Sequence, residues 1–387
     1  MRKLQSFLLA MLLCVWIPVT ARGETAETYP EPEMNTEELR LEAIQDYLDS
    51  VEQFDDHAGK MPSFQNMMKA LMAGNLASVL KQGAEICGHL LLSEIRTNRG
   101  LMGQILILAL IGAAFSDFSG IFGSGNVSEV GFYVVYLMIM AFLAASFFAS
   151  VSIAAEAAGK ITEFMRVLLP SYLLAVAAAG GAMTSAAVCS FTFGAIGAVQ
   201  AVLAEILLPM TRIYMLLVLA GNLLKEDMIS KCTELLEHVI LWALKTMFGI
   251  IVGFHIIQGM ILPHADAVKN VSLLRLAQAI PGIGGLAGSV TQMIFGSGVL
   301  IKNTLGAAGI LVLLFLAAVP LMKLLILMCL YHLLGAVMQP VCDKRLVACM
   351  TGIAVGHGIL LKIVTYSIAL FAVTIAILCI TTNGILS

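Results

Sequence analysis

Five ionisable residues stand inside otherwise apolar stretches and are the first candidates for chemistry: Glu205, Arg212, Lys245, Lys323 and Lys362. A charge in hydrocarbon is costly, so such a residue pairs with another charge, reaches water or marks a transport pathway. Glu205 and Arg212 are close in sequence on either side of a proline, and we expect a structural ion pair, with a proton relay as the alternative. The three lysines lie near predicted span ends, where a lysine can snorkel to the membrane interface.

Histidine, serine and cysteine residues are present, but their spacing matches no enzyme motif. The sequence contains no GxSxG hydrolase motif, no GxxxxGK[ST] phosphate loop and no Cys/His metal-ligand spacing. We expect His255, His264, His332 and His357 to be hydrogen-bonded packing residues. Of the 8 cysteines only Cys87 falls in the predicted exported segment, which excludes a disulfide framework there within one chain. We therefore expect no catalytic residue, no metal and no cofactor.

Small residues form two further candidate sites, both suited to close helix packing. Gly180, Gly181, Thr184 and Ser185 interrupt an apolar stretch, and backbones approach closely where side chains are small. This stretch is either a packed scaffold helix or the wall of a pathway. The glycine-rich segment 280–288 is a turn, a re-entrant loop or a helix packed through Gly284 and Gly288: these alternatives stay open at this point.

The composition indicates the elements that position these residues. The 387 residues are 59% hydrophobic and 12% charged, with a mean hydropathy of +0.94, which is typical of an all-α, polytopic membrane protein. The formal net charge of -3 lacks the basic excess that is typical of a nucleic-acid-binding protein. We expect about seven to nine spans, some of them broken or re-entrant. The apolar segments are 101–122, 130–155, 167–189, 191–208, 210–224, 239–262, 305–319, 321–338 and 353–380.

The chain divides into three predicted regions. Residues 1–21 have the charged start, apolar run and small-residue site of a cleaved signal peptide, with an uncleaved anchor as the alternative. Residues 22–100 form an exported acidic linker followed by amphipathic helices, whose apolar stripe rests on the membrane, on a partner or on this protein's own membrane domain. Residues 101–387 form the membrane domain, with a possible internal duplication of about 190–262 and 300–380.

The sequence resembles the stage III sporulation protein AE family of endospore-forming bacteria. The resemblance rests on motifs in the same order and spacing from about residue 81 to the C-terminus. They are Leu168-Leu169-Pro170, Gly180-Gly181-Ala182-Met183-Thr184-Ser185-Ala186, Ile280-Pro281-Gly282-Ile283-Gly284-Gly285, Leu300-Ile301-Lys302-Asn303 and Gln339-Pro340 with Asp343-Lys344-Arg345.

The resemblance implies a multi-pass protein of the mother-cell membrane that surrounds the forespore, with its N-terminal segment outside the cytoplasm. It implies a channel or secretion-like complex that supports late forespore gene expression. The implied partners are other stage III sporulation A proteins, including a secretion-type ATPase and ring-forming proteins, and stage II sporulation protein Q across the intermembrane space. The family supplies no catalytic residue to carry over.

The expected function is that of a non-enzymatic, permease-like or channel subunit in such a complex. Two alternatives belong to other classes. A secondary transporter working alone would bring charged residues together near the bilayer midplane. An intramembrane enzyme would hold a nucleophile and a base within hydrogen-bond reach in a pocket open to water.

Overall fold

A computed structural model of the chain describes residues 41–54, 63–73, 76–118, 125–179, 182–223, 229–278 and 284–381. The predicted signal peptide, most of the acidic linker and the Gly180-Gly181 pair lie outside the described residues. The helices are α1 (Leu41–Phe54), α2 (Phe64–Met72), α3 (Leu76–Phe118), α4 (Gly125–Ala178), α5 (Ala182–Ala201), α6 (Leu208–Leu223), α7 (Ser230–Gln278), α8 (Gly284–Met338) and α9 (Lys344–Thr381).

The all-helical membrane fold predicted from the composition is confirmed. Among the described residues, six helical stretches are long and apolar enough to cross a membrane: 93–114, 133–178, 188–222, 230–260, 296–338 and 344–380. This number is close to the expected seven to nine. It is smaller because neighbouring apolar segments share one continuous helix, as 305–319 and 321–338 do within α8 around Pro320.

A short π-helix, Val202–Leu207, joins α5 to α6 without a break in the helical chain. Pro209 is the second residue after it. A proline has no N–H to donate and crowds the carbonyl four residues earlier, which here is that of Glu205 within the π-helix. The wider π-helical turn relieves this crowding, and π-helices in proteins usually occur as such single turns within an α-helix. The two segments expected as separate spans, 191–208 and 210–224, therefore belong to one continuous helical rod as far as Leu223, where this described stretch ends.

Contacts between the long helices define their directions. Gly335 of α8 faces Met350 of α9, whereas Gly306 of α8 faces Cys379, so α8 and α9 form an antiparallel hairpin. We call the end of the bundle that holds the turn 339–343 the turn end, and the opposite end the far end. The α4 helix runs parallel to α9 between the two ends. It contacts α3, α5, α6, α8 and α9, and so occupies the centre of the bundle.

The amphipathic helices α1 and α2 pack on this protein's own long helices. The apolar side chains Leu41, Ile44, Leu48, Phe64, Met67 and Met68 are buried. The Tyr47 hydroxyl donates to the Lys160 carbonyl of α4 at 2.7 Å. The Gln45 side-chain oxygen accepts from the Phe64 backbone N–H at 2.9 Å, which ties α1 to α2. The apolar stripe was expected to rest on the membrane, on a partner or on this protein's own membrane domain. The described side chains pack on the last of these.

Candidate functional site

The five predicted intramembrane charges do not converge on one site, although Lys245 and Lys362 are close enough for their charges to interact. Glu205, Arg212 and Lys245 are exposed, and Lys323 and Lys362 are half-buried, on different helices of the bundle. The ion pair expected between Glu205 and Arg212 is wrong: none joins them among the ion pairs of the described residues. Their spacing explains this, because nearly two helical turns separate them by about 10 Å along the axis, whereas helical ion pairs need three or four residues.

The described interior instead contains a polar network that joins α4, α8 and α9. The Tyr331 hydroxyl donates to Ser146 Oγ at 2.6 Å. Ser150 Oγ lies 3.0 Å from His357 Nε2, and the Tyr331 and His357 rings stack with centroids 5.0 Å apart. Ser150 is 1% exposed and His357 is 0% exposed. The expectation that His357 is a hydrogen-bonded packing residue is confirmed.

The proton positions in this network follow from the partners. His357 Nδ1 lies 2.9 Å from the Ile353 carbonyl, which can only accept, so Nδ1 carries a proton. The single Ser150 hydroxyl proton is then shared between the Ser146 carbonyl at 3.0 Å and His357 Nε2. A serine beside an imidazole resembles a nucleophile and its base. Because both residues are buried between three helices, this pair is placed to hold the helices together, with no access for a substrate.

His255 differs from His357, although both are buried. Neither ring nitrogen of His255 has a hydrogen-bond partner among the described residues, so the hydrogen bond expected for it is absent. Its ring packs edge-on against Phe191 with centroids 5.2 Å apart. Of the two other histidines, His332 is exposed and the surroundings of His264 lie outside the described side chains.

Lys302 is a buried charged residue that the predicted intramembrane charges did not include, although it stands in the Leu300-Ile301-Lys302-Asn303 motif. It is 0% exposed within α8 and interacts electrostatically with Cys379 of α9. The Tyr172 hydroxyl of α4 donates to the same sulfur at 3.4 Å. The predicted span began at residue 305 and so excluded Lys302, whereas α8 begins at Gly284. The signal available in the sequence was a lysine standing alone in a long apolar helix.

Several glycines lie at close contacts between helices. A Cβ atom on Gly298 would lie 3.0 Å from the backbone of Ala179, one on Gly309 would lie 2.6 Å from Leu168, and one on Gly356 would lie 2.7 Å from Phe147. These glycines connect α8 and α9 to α4. Sequence reasoning missed them because a glycine inside an apolar helix looks the same whether or not a neighbour touches it.

The predicted small-residue sites are only partly described. The Ser185 hydroxyl donates to the Leu173 carbonyl at 2.9 Å, which links α5 to α4. Gly284 begins α8, so the helical alternative holds for residues 284–288. The surroundings of Thr184, Gly284 and Gly288 lie outside the described side chains, and their role in packing stays a prediction.

The fold and the distribution of its apolar surface define a multi-pass α-helical membrane protein. Within that class, the chain belongs to the stage III sporulation protein AE family, whose model matches residues 62–382. It is similar to stage III sporulation protein AE of Bacillus subtilis (strain 168), with 25% identity over 265 residues. That match covers 67% of this chain and 65% of the relative. No solved structure matches the chain.

Proposed function

We propose that this protein is a non-enzymatic, permease-like or channel subunit of a sporulation envelope complex. In this proposal it lies in the mother-cell membrane around the forespore and supports late forespore gene expression. Family membership supports the sporulation role. The proposed partners are other stage III sporulation A proteins, among them a secretion-type ATPase and ring-forming proteins, with stage II sporulation protein Q on the forespore side.

The observation that favours a subunit over the two alternatives is that the predicted intramembrane charges do not converge on one buried site. Charged residues of the apolar helices, such as Glu205 and Lys245, reach the surface. A transporter would require them to meet at a site near the bilayer midplane, and they do not. The described Ser150–His357 pair is buried and already satisfied by the protein, whereas an enzyme needs an open nucleophile. The arrangement suits a scaffold whose outer faces meet lipid and partners.

The proposed assembly is tested by purifying the tagged full-length protein from sporulating cells. We expect other stage III sporulation A proteins to co-purify in stable proportion. Recovery of the protein alone from gently solubilised membranes, with normal sporulation of the tagged strain, would contradict the assembly.

The enzyme alternative is tested by Ser150→Ala. At matched protein abundance we expect sporulation efficiency to stay within about threefold of wild type, because the hydroxyl serves only helix packing. Tyr331→Phe, which removes a hydroxyl of the same network, is the matched control. A loss of several orders of magnitude for Ser150→Ala alone, with normal abundance and partner recovery, would identify Ser150 as a nucleophile.

A further inference from the structure

Two charges of opposite sign are exposed on neighbouring helices. Glu205 stands in the π-helix that follows α5, and Lys245 stands in α7. Neither belongs to an ion pair of the described residues. The charge that interacts with Lys245, that of Lys362, has the same sign. By contrast, the exposed Glu156 and Glu163 of α4 are each paired within their own helix.

The two charges lie at nearly the same level of the bundle. The rod formed by α5, the π-helix and α6 runs antiparallel to α7. Near one end of this pair Phe191 stacks on Phe254, with ring centroids 3.9 Å apart. At the other end a Cβ atom on Gly221 would lie 3.5 Å from Ile229, which precedes α7. Both charges fall near the middle between these contacts, within about 5 Å of each other along the axis.

Large apolar side chains surround the two charges on this outer surface, which we call the α5–α7 face. They are Phe193 and Ile206 of the rod and Trp242, Ile250 and Ile257 of α7, and each is between 38% and 68% exposed. In lipid, a charge that faces hydrocarbon is costly and pairs with another charge. In water, a large apolar surface marks a contact with another protein. Either environment therefore favours a protein partner on this face.

Small residues on the same face allow another helix to come close. A Cβ atom added to Gly194, Gly197 or Gly249 would meet nothing within 4 Å. Two of these glycines, Gly194 and Gly249, are exposed. Backbones approach closely where side chains are small, so a second helix can pack here and bring its side chains within reach of both charges.

The charge pattern of the α5–α7 face is complementary to itself. A two-fold axis parallel to the helices keeps every residue of a second copy at its own level. Because the acid and the base share one level, such an axis brings Glu205 of each copy opposite Lys245 of the other, which is the reciprocal contact of an isologous dimer. Arg212 fits less well as the partner of Glu205, because it lies about 10 Å away along the rod.

We infer that two copies of this chain pair through the α5–α7 face, with Glu205 of each copy bound to Lys245 of the other. The pairing neutralises both charges and covers the apolar side chains around them. It goes beyond the proposed sporulation role and does not depend on it, since the contact needs no protein other than this chain.

A charge-exchange experiment tests the pairing. Two full-length chains with different C-terminal tags are co-expressed in a host that does not form spores. The fraction of one chain that co-purifies with the other is measured at matched abundance. We expect wild-type copies to co-purify. Copies that both carry Glu205→Lys, or both carry Lys245→Glu, should co-purify at least about fivefold less, because like charges then meet at both contacts.

The mixed pair of variants distinguishes contact between copies from contact within one chain. When Glu205→Lys chains are co-expressed with Lys245→Glu chains, both contacts regain opposite charges, and recovery should return to within about twofold of wild type. An ion pair within one chain cannot be restored in this way, since one chain then holds two bases and the other two acids. Recovery of the mixed pair no higher than that of each variant with itself, or no co-purification of wild-type copies, would overturn the inference.

Disulfide cross-linking provides a second measurement if a charge variant fails to fold. Ala201 and Gly249 are exposed, and each lies about one turn from its charge in the direction of the far end. Differently tagged chains carrying Ala201→Cys and Gly249→Cys, with the exposed Cys232 and Cys329 replaced by serine, are co-expressed and oxidised with copper phenanthroline.

We expect the cross-linked mixed dimer to form at least about tenfold faster than when Ala141→Cys replaces Ala201→Cys, because a disulfide requires Cα atoms within about 7 Å. Ala141 is the matched control, since it is an exposed alanine on α4, outside the α5–α7 face. Equal rates for the two combinations would contradict the inference.

Discussion

Gly298 allows the backbones of two helices to touch. A Cβ atom at this position would lie 3.0 Å from both Cα and N of Ala179, at the end of α4. A flexible side chain could rotate away from a new methyl group, but a backbone can only move with its helix. This glycine therefore sets the distance between α8 and α4 near the far end.

We predict that Gly298→Ala destabilises the protein by about 1 to 3 kcal/mol, because overpacking a tight contact displaces backbone. Thermal unfolding in detergent measures the change. Gly253→Ala is the matched control, since a Cβ at that helical position meets nothing within 4 Å. The control should be neutral or gain up to about 1 kcal/mol from helix propensity. Equal melting temperatures for the two variants would show that the contact with Ala179 does not constrain the helices.

The start of α9 is fixed by a capping residue. Asp343 precedes the helix, and its Oδ1 accepts from the Arg345 backbone N–H at 2.8 Å. Its carbonyl accepts from the Leu346 N–H at 3.0 Å. Aspartate at this position satisfies one of the N–H groups that a helix leaves free at its first turn. The cap ends the turn that connects α8 to α9.

We predict that Asp343→Ala costs about 1 kcal/mol of stability through loss of this cap, whereas Asp343→Asn costs only a few tenths. Denaturant titration of the solubilised protein measures both. Arg345 Nε and Asp343 Oδ1 are 3.3 Å apart. Equal loss of stability in the two variants would assign the effect to the attraction between these charges and would contradict capping as the cause.

The docking of α1 on α4 has a titratable group at its centre. Burial, and to a smaller degree the charge of Glu163, raise the pKa of the Tyr47 hydroxyl above its ordinary value of 10.0. The raised pKa means that the docked state favours the protonated phenol. The stabilisation that the Tyr47 hydroxyl gives to docking is complete below the pKa of a free tyrosine. It is lost as pH rises through the higher pKa of the docked state.

We predict that α1 is held equally well from pH 7 to about pH 9.5 and is released at more alkaline pH. Limited proteolysis between α1 and α2 at each pH measures the release. Tyr47→Phe lacks the hydroxyl bond to Lys160 and should be cut faster at neutral pH, with a smaller increase above about pH 10. An identical pH profile for Tyr47→Phe and the wild type would exclude Tyr47 as the group responsible.

At the scale of the whole molecule, exposed apolar side chains cover the long helices, and Phe148 of α4 is one of them, with 37% of its side chain exposed. A lysine placed on the lipid-facing surface near the bilayer midplane costs about 2 to 4 kcal/mol. We therefore predict that Phe148→Lys sharply reduces the amount of protein in the membrane. Quantitative immunoblotting of membrane fractions measures this amount.

Glu156→Lys is the matched control, because a charged side chain already stands at that exposed position of α4. We predict that the amount of this variant in the membrane stays near that of the wild type. Equal loss of the two variants would contradict a lipid-facing position for Phe148.

The class of protein could be predicted from the sequence because it depends on local properties. Long apolar segments with few charges are helical in any membrane context, since each backbone N–H must be satisfied within its own segment. The amphipathic spacing of Leu41, Ile44 and Leu48 predicted a helix with one apolar face for the same local reason, and all three side chains are buried. The ends of spans were less certain, as the merging of segments around Pro209 and Pro320 shows.

The tertiary structure decided which residues meet, because contact between distant segments is not a local property. Gly298 and Gly253 look alike in sequence, yet one touches a backbone and the other meets nothing within 4 Å. Lys302 and Lys245 both interrupt apolar segments, but neighbouring helices bury the first and leave the second exposed. The partners of a helical side chain depend on where the other helices pack, and the sequence of one segment does not contain that information.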